Sequence, residues 1–247
     1  MTILNCPWPE APARPVLAGD EVHVWCASLD QPLAKYAGLL SVDEQARAQR
    51  FRFEQEQRRF VVGRGLLRTI LGRYLNLPPQ NLVLKYGEYG KPELALESSL
   101  QRSSFNLSHS GDLVLYAFTC EIEIGIDLEQ IHPIPDVQQL AEQFFSPLER
   151  AELNALPAQQ KLEAFFSGWT RKEAYLKARG DGLVYPLDQF SVAMAPEEPA
   201  RLLKVKDDPG EPARWLLQTL SPAPAPGYAA ALAVAGHAWR LAQWQIS

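Results

Sequence analysis

Residues 121–129 read Glu-Ile-Glu-Ile-Gly-Ile-Asp-Leu-Glu, the cleanest alternation in the chain. A period of two places Ile122, Ile124, Ile126 and Leu128 on one face of a strand, and Glu123, Gly125, Asp127 and Glu129 on the other. Asp127 and Glu129 then stand roughly 6 to 7 Å apart on the polar face, a separation that lets two carboxylates reach one hard cation. Read alone, the same strand also fits a half-exposed element with a solvated acidic face.

Downstream, Ser146-Pro147-Leu148-Glu149 forms a capping box with Pro at the first helical position. A long helix is predicted over about 158–179, stopped by Gly180 in the left-handed position that suits glycine. Strand-like segments follow at 190–194, 202–206, 215–220, 228–235 and 239–246. Upstream, the first half has the same plan. Glu21 to Leu29 reads as a strand, Ser41-Val42-Asp43-Glu44 is a second capping box opening a helix to about Arg50, and a longer helix is predicted over about 56–75. Strands are predicted at 82–86, 105–107 and 113–119. Ser41 and Ser146 lie 105 residues apart, as do Phe60 and Phe165, and Gly63 and Gly168. The expected fold is therefore α+β, a pseudo-dimer of two similar α/β subdomains. A Pro-rich lead (1–20) precedes an N-terminal subdomain (21–120) and a C-terminal subdomain (121–247).

The predicted helix over 158–179 carries an apolar stripe of Leu162, Phe165, Phe166, Trp169 and Leu176. At about 100° per residue, Glu173 falls within roughly 40° of Leu162, Phe166 and Trp169, so its carboxylate faces inward. Burial there is costly unless a cation or hydrogen bonds compensate it. Lys177 follows on the same face, and a Glu173–Lys177 ion pair that only stabilises the helix is the plainer reading. That reading suits a surface pair better than an inward-facing one. Three carboxylates without His or Cys beside them suit Mg2+, with Mn2+ as the alternative ion, and hence phosphoryl or pyrophosphate transfer.

The 247-residue chain has 24 Lys and Arg against 29 Asp and Glu, a net charge of −5, which excludes nucleic-acid binding by bulk charge. Segment 41–75 departs from that average. Its eight arginines (47, 50, 52, 58, 59, 64, 68 and 73) against four acids give +4, leaving −9 for the remainder. Such a patch suits a small polyanion, although about half of these arginines are expected to serve a solvated, salt-bridged helix face. Three scattered cysteines fit neither a disulfide framework nor a zinc site, and no apolar run approaches a membrane span. A cytoplasmic protein without membrane contact is expected. Two loops add polar groups: Tyr89-Gly90-Lys91-Pro92, and a Ser/His turn within Phe105–Gly111 (FNLSHSG) expected to contact phosphate.

In their order and spacing, FNLSHSG (105–111), IGIDLE (124–129) and WTRKEAYLK (169–177) resemble the Sfp-type 4′-phosphopantetheinyl transferases. Gly90-Lys91-Pro92, Phe144-Phe145-Ser146 and RRFVVGRGLLR (58–68) extend the resemblance over most of the chain. It implies an enzyme that moves the phosphopantetheine arm of coenzyme A onto a serine of an apo acyl or peptidyl carrier protein, releasing 3′,5′-ADP. It implies Asp127, Glu129 and Glu173 as the Mg2+ site, Glu173 as the base for the carrier serine, and Lys177 at the departing phosphate. Arg47, Lys91, Ser108 and His109 match contacts to coenzyme A, and Arg59 is a further match for that role. Some members carry a basic residue one turn before Arg47, where this chain has Glu44. The family's architecture is a pseudo-dimer with its site between the halves, so a monomer would hold a complete site. A metal-dependent phosphoesterase and a non-catalytic binding module for coenzyme A or carrier proteins are the rival readings.

Overall fold

Segment 21–28 forms β1 (Glu21–Ser28), whose register brings it between two partners in the computed structural model, which describes residues 6–87, 92–95, 103–180, 185–221 and 223–246. The first half continues through a short α1 (Ala34–Ala37), then α2 (Val42–Ala48) and α3 (Glu54–Leu75). It closes with a small hairpin of β2 (Leu84–Tyr86) and β3 (Pro92–Leu94), then β4 (Ser103–Ser110) and β5 (Leu113–Cys120). The second half runs β6 (Ile124–Gln130), α4 (Val137–Phe144), α5 (Pro147–Ala155) and α6 (Ala158–Arg179). It ends with β7 (Phe190–Val192), β8 (Leu202–Val205), β9 (Trp215–Thr219), β10 (Tyr228–Ala235) and β11 (Arg240–Ile246).

Both capping boxes are formed. Ser41 and Ser146 each accept a hydrogen bond from the backbone of the glutamate three residues on, and each glutamate side chain accepts one from the serine N–H. α2 and α5 therefore start 105 residues apart, and α3 and α6 are both 22 residues long. Each capping glutamate also reaches into the following long helix. Glu44 accepts from Arg68 Nε at 2.7 Å and lies 3.5 Å from Arg64 Nε, while Glu149 is held by Lys172 Nζ at 2.7 Å. Arg64 and Arg68 are thus buried struts rather than parts of a solvated helix face.

Two main sheets result, in the orders β11-β1-β5-β4 and β6-β10-β9, beside the two-stranded pairs β2-β3 and β7-β8. The last strand crosses back to the first half and pairs in parallel with β1, Val22 opposite Leu241 and Ala27 opposite Ile246. The sheets pack against each other through Val22, Val24, Cys26, Leu113, Leu115 and Ala117 on one side, and Ile124, Ile126, Leu128, Ala230, Leu232 and Val234 on the other. α3 covers the outer face of the first sheet, with Trp25, Tyr116 and Phe118 against Leu66, Leu67 and Ile70. α6 covers the outer face of the second, where Ala231 and Ala233 join Phe165, Tyr175 and Leu176. The layers are α, β, β, α. This explains why β1 and β5 are buried on both faces.

Two local readings need correction. The alternation expected to begin at Glu121 begins at Ile124, because Glu121 takes a positive φ of 61° and turns the chain between β5 and β6. The segment expected as a Ser/His turn is strand: Ser108, His109 and Ser110 complete β4, and the chain reverses at Gly111 and Asp112. Gly111 has φ +55°, a conformation that favours glycine, and a Cβ there would lie 2.5 Å from both Gln130 Oε1 and Tyr228 Oη, whose side chains would have to shift.

Candidate active site

β6 presents Gly125, Asp127 and Glu129 to α6, as its period of two requires. The approach is close because Gly125 has no side chain: a Cβ there would stand 2.0 Å from Ala174 O and 2.4 Å from Ala178 N. Glu173 and Lys177, one turn apart on α6, are brought beside the strand acids by that contact. β4 lies along β6 from the other side and supplies Ser108, His109 and Ser110.

Asp127 is 3% exposed. Its Oδ1 accepts from Lys177 Nζ at 2.6 Å and from Ser108 Oγ at 2.9 Å, and Lys177 Nζ also donates to Ser108 Oγ at 3.0 Å. Burial pushes the Asp127 carboxyl above the usual aspartate range, and the Lys177 ammonium opposes this. Glu129 Oε2 accepts from Ser110 Oγ at 2.8 Å, and burial again raises the carboxyl, helped by the charge of Asp127. Glu173 is pushed up to about 7, first by burial, then by the negative charges of Asp127 and Glu129, with Lys177 acting the other way. The carboxylates are close enough to disfavour one another's ionisation. Lys177 bonds to Asp127, and the plainer reading of a Glu173–Lys177 helix pair is not what forms.

The donor set is all carboxylate, which suits a hard cation such as Mg2+. Asp127 Oδ2 and Glu173 Oε1 are buried without a hydrogen-bond partner among the described residues, the condition a cation would relieve. No ready-formed group of three ligating side chains occurs among the described residues. As placed, Lys177 takes up part of the charge of Asp127, and two orphaned oxygens await a partner. These residues fit a hard cation, which Asp127, Glu129 and Glu173 would hold.

Among the expected coenzyme A contacts, His109 is solvent-exposed and lies near Lys177 and Arg59; partial desolvation, then the charges of Lys177 and Arg59, hold its imidazole below the usual histidine range. Arg59 bonds to Asp112 Oδ1 at 2.8 Å, and its buried Nε has no partner among the described residues. Arg47 lies over the rings of Phe60 and Tyr86 and lines an open cleft of about 660 Å³ together with Asp43, Arg50, Phe51 and Tyr86. Glu44 lines the same cleft, yet its carboxylate is only 2% exposed and is engaged by Arg64, Arg68 and Tyr86 Oη. Lys91 lies outside the described residues. Sequence reasoning passed over Asn106 and Ser110. Asn106 Oδ1 accepts from the Ile126 N–H at 3.1 Å, and the i, i+2 spacing of Asn106, Ser108 and Ser110 was a readable signal for one strand face.

Residues 24–121 match the model for the 4′-phosphopantetheinyl transferase N-terminal region, and residues 123–233 match the 4′-phosphopantetheinyl transferase superfamily. The 4′-phosphopantetheinyl transferase HetI of Nostoc sp. is 43% identical over 245 residues, covering 98% of this chain and 99% of the relative. The 4′-phosphopantetheinyl transferase psf-1 of Bacillus pumilus is 36% identical over 186 residues, covering 75% and 76%. The 4′-phosphopantetheinyl transferase Sfp of Bacillus subtilis is 32% identical over 171 residues, covering 67% and 74%. The two family matches meet between β5 and β6, where the two halves of the layered fold join and the acids of β6 face α6, and a chain matched end to end in this way belongs to the 4′-phosphopantetheinyl transferase family.

Proposed function

We propose that this chain transfers the 4′-phosphopantetheine arm of coenzyme A to a serine hydroxyl of an apo acyl or peptidyl carrier protein, with Mg2+ as the metal. A bond forms between the serine oxygen and the phosphorus bearing the pantetheine arm, the pyrophosphate P–O bond breaks, and 3′,5′-ADP leaves with the electron pair. The observation that carries this reading is the meeting of Asp127, Glu129, Glu173 and Lys177 where β6 crosses α6. A bound cation supplies charge neutralisation at the pyrophosphate. Glu173, with a carboxyl near 7, takes the serine proton. Lys177 leaves Asp127 to meet the charge that develops on the departing phosphate. Asp127, Glu129 and Glu173 hold the cation, and Ser108, His109, Arg47, Arg59 and Lys91 hold coenzyme A. The active unit is a monomer acting in the cytoplasm; no helix among the described residues is long and apolar enough to cross a membrane.

Incubation with coenzyme A, Mg2+ and a panel of apo-carriers is expected to increase the mass of at least one carrier by one phosphopantetheine arm. Glu173→Gln should reduce the rate by about 10² to 10⁴-fold with folding retained, the usual range for a lost general base. Phosphate release from nucleotides without any carrier mass gain would point to a phosphoesterase instead.

A further inference from the structure

The first sheet holds the acids of the second through a row of side chains on β4. Backbone pairing does not join β4 to β6: β4 pairs with β5, and β6 pairs with β10. Instead Asn106, Ser108 and Ser110, two residues apart on one face of β4, bond to the Ile126 N–H, to Asp127 and to Glu129 respectively. The two serines are oriented in the same manner. Ser108 Oγ accepts from Lys177 Nζ, and Ser110 Oγ accepts from the Gln130 N–H at 3.0 Å. With an N–H already directed at the oxygen, the hydroxyl proton of Ser110 is left to point at Glu129 Oε2, 2.8 Å away. Gly111, at φ +55° beside the side-chain ends of Gln130 and Tyr228, turns the chain directly after Ser110.

From this geometry we infer that Ser110 is a positioning residue for the divalent cation, its hydroxyl fixing the rotamer of Glu129 before the cation arrives. The inference rests on the assignment of Glu129 to the cation site. A free glutamate gives up considerable rotamer freedom on binding a metal, and an outer-shell hydrogen bond removes part of that loss beforehand. It also ties up Oε2 and leaves Oε1 for the cation. Ser110 acts through Glu129, so its effect should be read in cation affinity.

The test is a titration of Mn2+ into the full chain with saturating coenzyme A, free Mn2+ being read by electron paramagnetic resonance. Ser110→Ala is expected to weaken Mn2+ by about 10-fold, the lower end of outer-shell effects. The Mg2+ concentration for half-maximal transfer should rise by the same factor, and Ser110→Thr, which keeps the hydroxyl, should recover most of the loss. The melting temperature without metal should stay within about 3 °C of the parent, since a partly exposed hydroxyl is removed without a cavity. If Ser110→Ala unfolds, Ser110→Cys keeps the volume, replaces the donor with a weak thiol and carries the same expectation. Wild-type Mn2+ affinity in a folded Ala or Cys variant overturns the inference and leaves the transferase reading standing. An absence of Mn2+ binding by the parent chain overturns the cation site itself.

Discussion

Glu173 shows how one side chain weighs function against stability. Its carboxyl is raised from an ordinary 4.5 to about 7 by burial and by two like charges, so the folded state prefers the protonated form. A group raised in the folded state contributes stability that is full below its unfolded value and is lost as pH rises through its folded value. Ionised Glu173 therefore opposes folding above pH 7 in the metal-free protein. Glu173→Gln is expected to be more stable than the parent by about 1–3 kcal/mol at pH 8, with the difference shrinking toward pH 5. Added Mg2+ should stabilise the parent more than the variant. Urea denaturation at the two pH values checks this, and a Gln variant less stable than the parent at pH 8 would refute it. The inward aim of Glu173 was legible from the apolar stripe around it. The partner of Lys177 was not, because helix spacing offered Glu173 while the observed bond to Asp127 depends on how closely β6 approaches α6.

At the scale of elements, the sequence marked helices best where their ends carry their own chemistry. The helix predicted over 158–179 matches α6, and Gly180 caps it in the left-handed region at φ +81°. β10 likewise occupies its predicted span, 228–235. The small α4 was missed, its polar run of glutamines resembling a loop, and β4 was shortened because Ser, His and Gly mimic turn chemistry. Glycine at the element contacts separates packing from propensity. At Gly125 a methyl group would meet backbone atoms of α6, which cannot rotate aside, whereas at Gly63 on α3 the nearest atom is Leu29 Cδ2 at 3.4 Å. Gly125→Ala is expected to destabilise by more than about 3 kcal/mol, since strand and helix must part. Gly63→Ala should be neutral or stabilising by up to about 1 kcal/mol, the helix preference of Ala over Gly. Chemical denaturation of both variants decides the matter; equal effects would mean that β6 and α6 are not in the close contact described.

Across the whole molecule, duplication was legible from the 105-residue offset, but the way the copies are joined was not. β11 comes from the end of the second half and completes the first sheet, a long-range pairing that no local pattern announces. The sheets then share one apolar layer, so neither half has a water-stable inner face without the other. Charge is divided in the same spirit. The arginine-rich segment lies in the first half and the acids proposed to hold the cation lie in the second, so the net charge of −5 averages over two segments of opposite sign. A shared core and a crossing strand require the halves to unfold together. Calorimetry of the full chain should give one transition with equal calorimetric and van't Hoff enthalpies. Trp25 of the first half and Trp215 of the second, each kept as the sole tryptophan, should report the same midpoint. If Trp215 were to report a separate midpoint, the inter-sheet layer would be a contact between two independent domains, and the register of Ser108 and Ser110 against Asp127 and Glu129 could shift without unfolding either half. A single transition means that the side chains of β4 hold the acids of β6 in place for as long as the protein is folded at all.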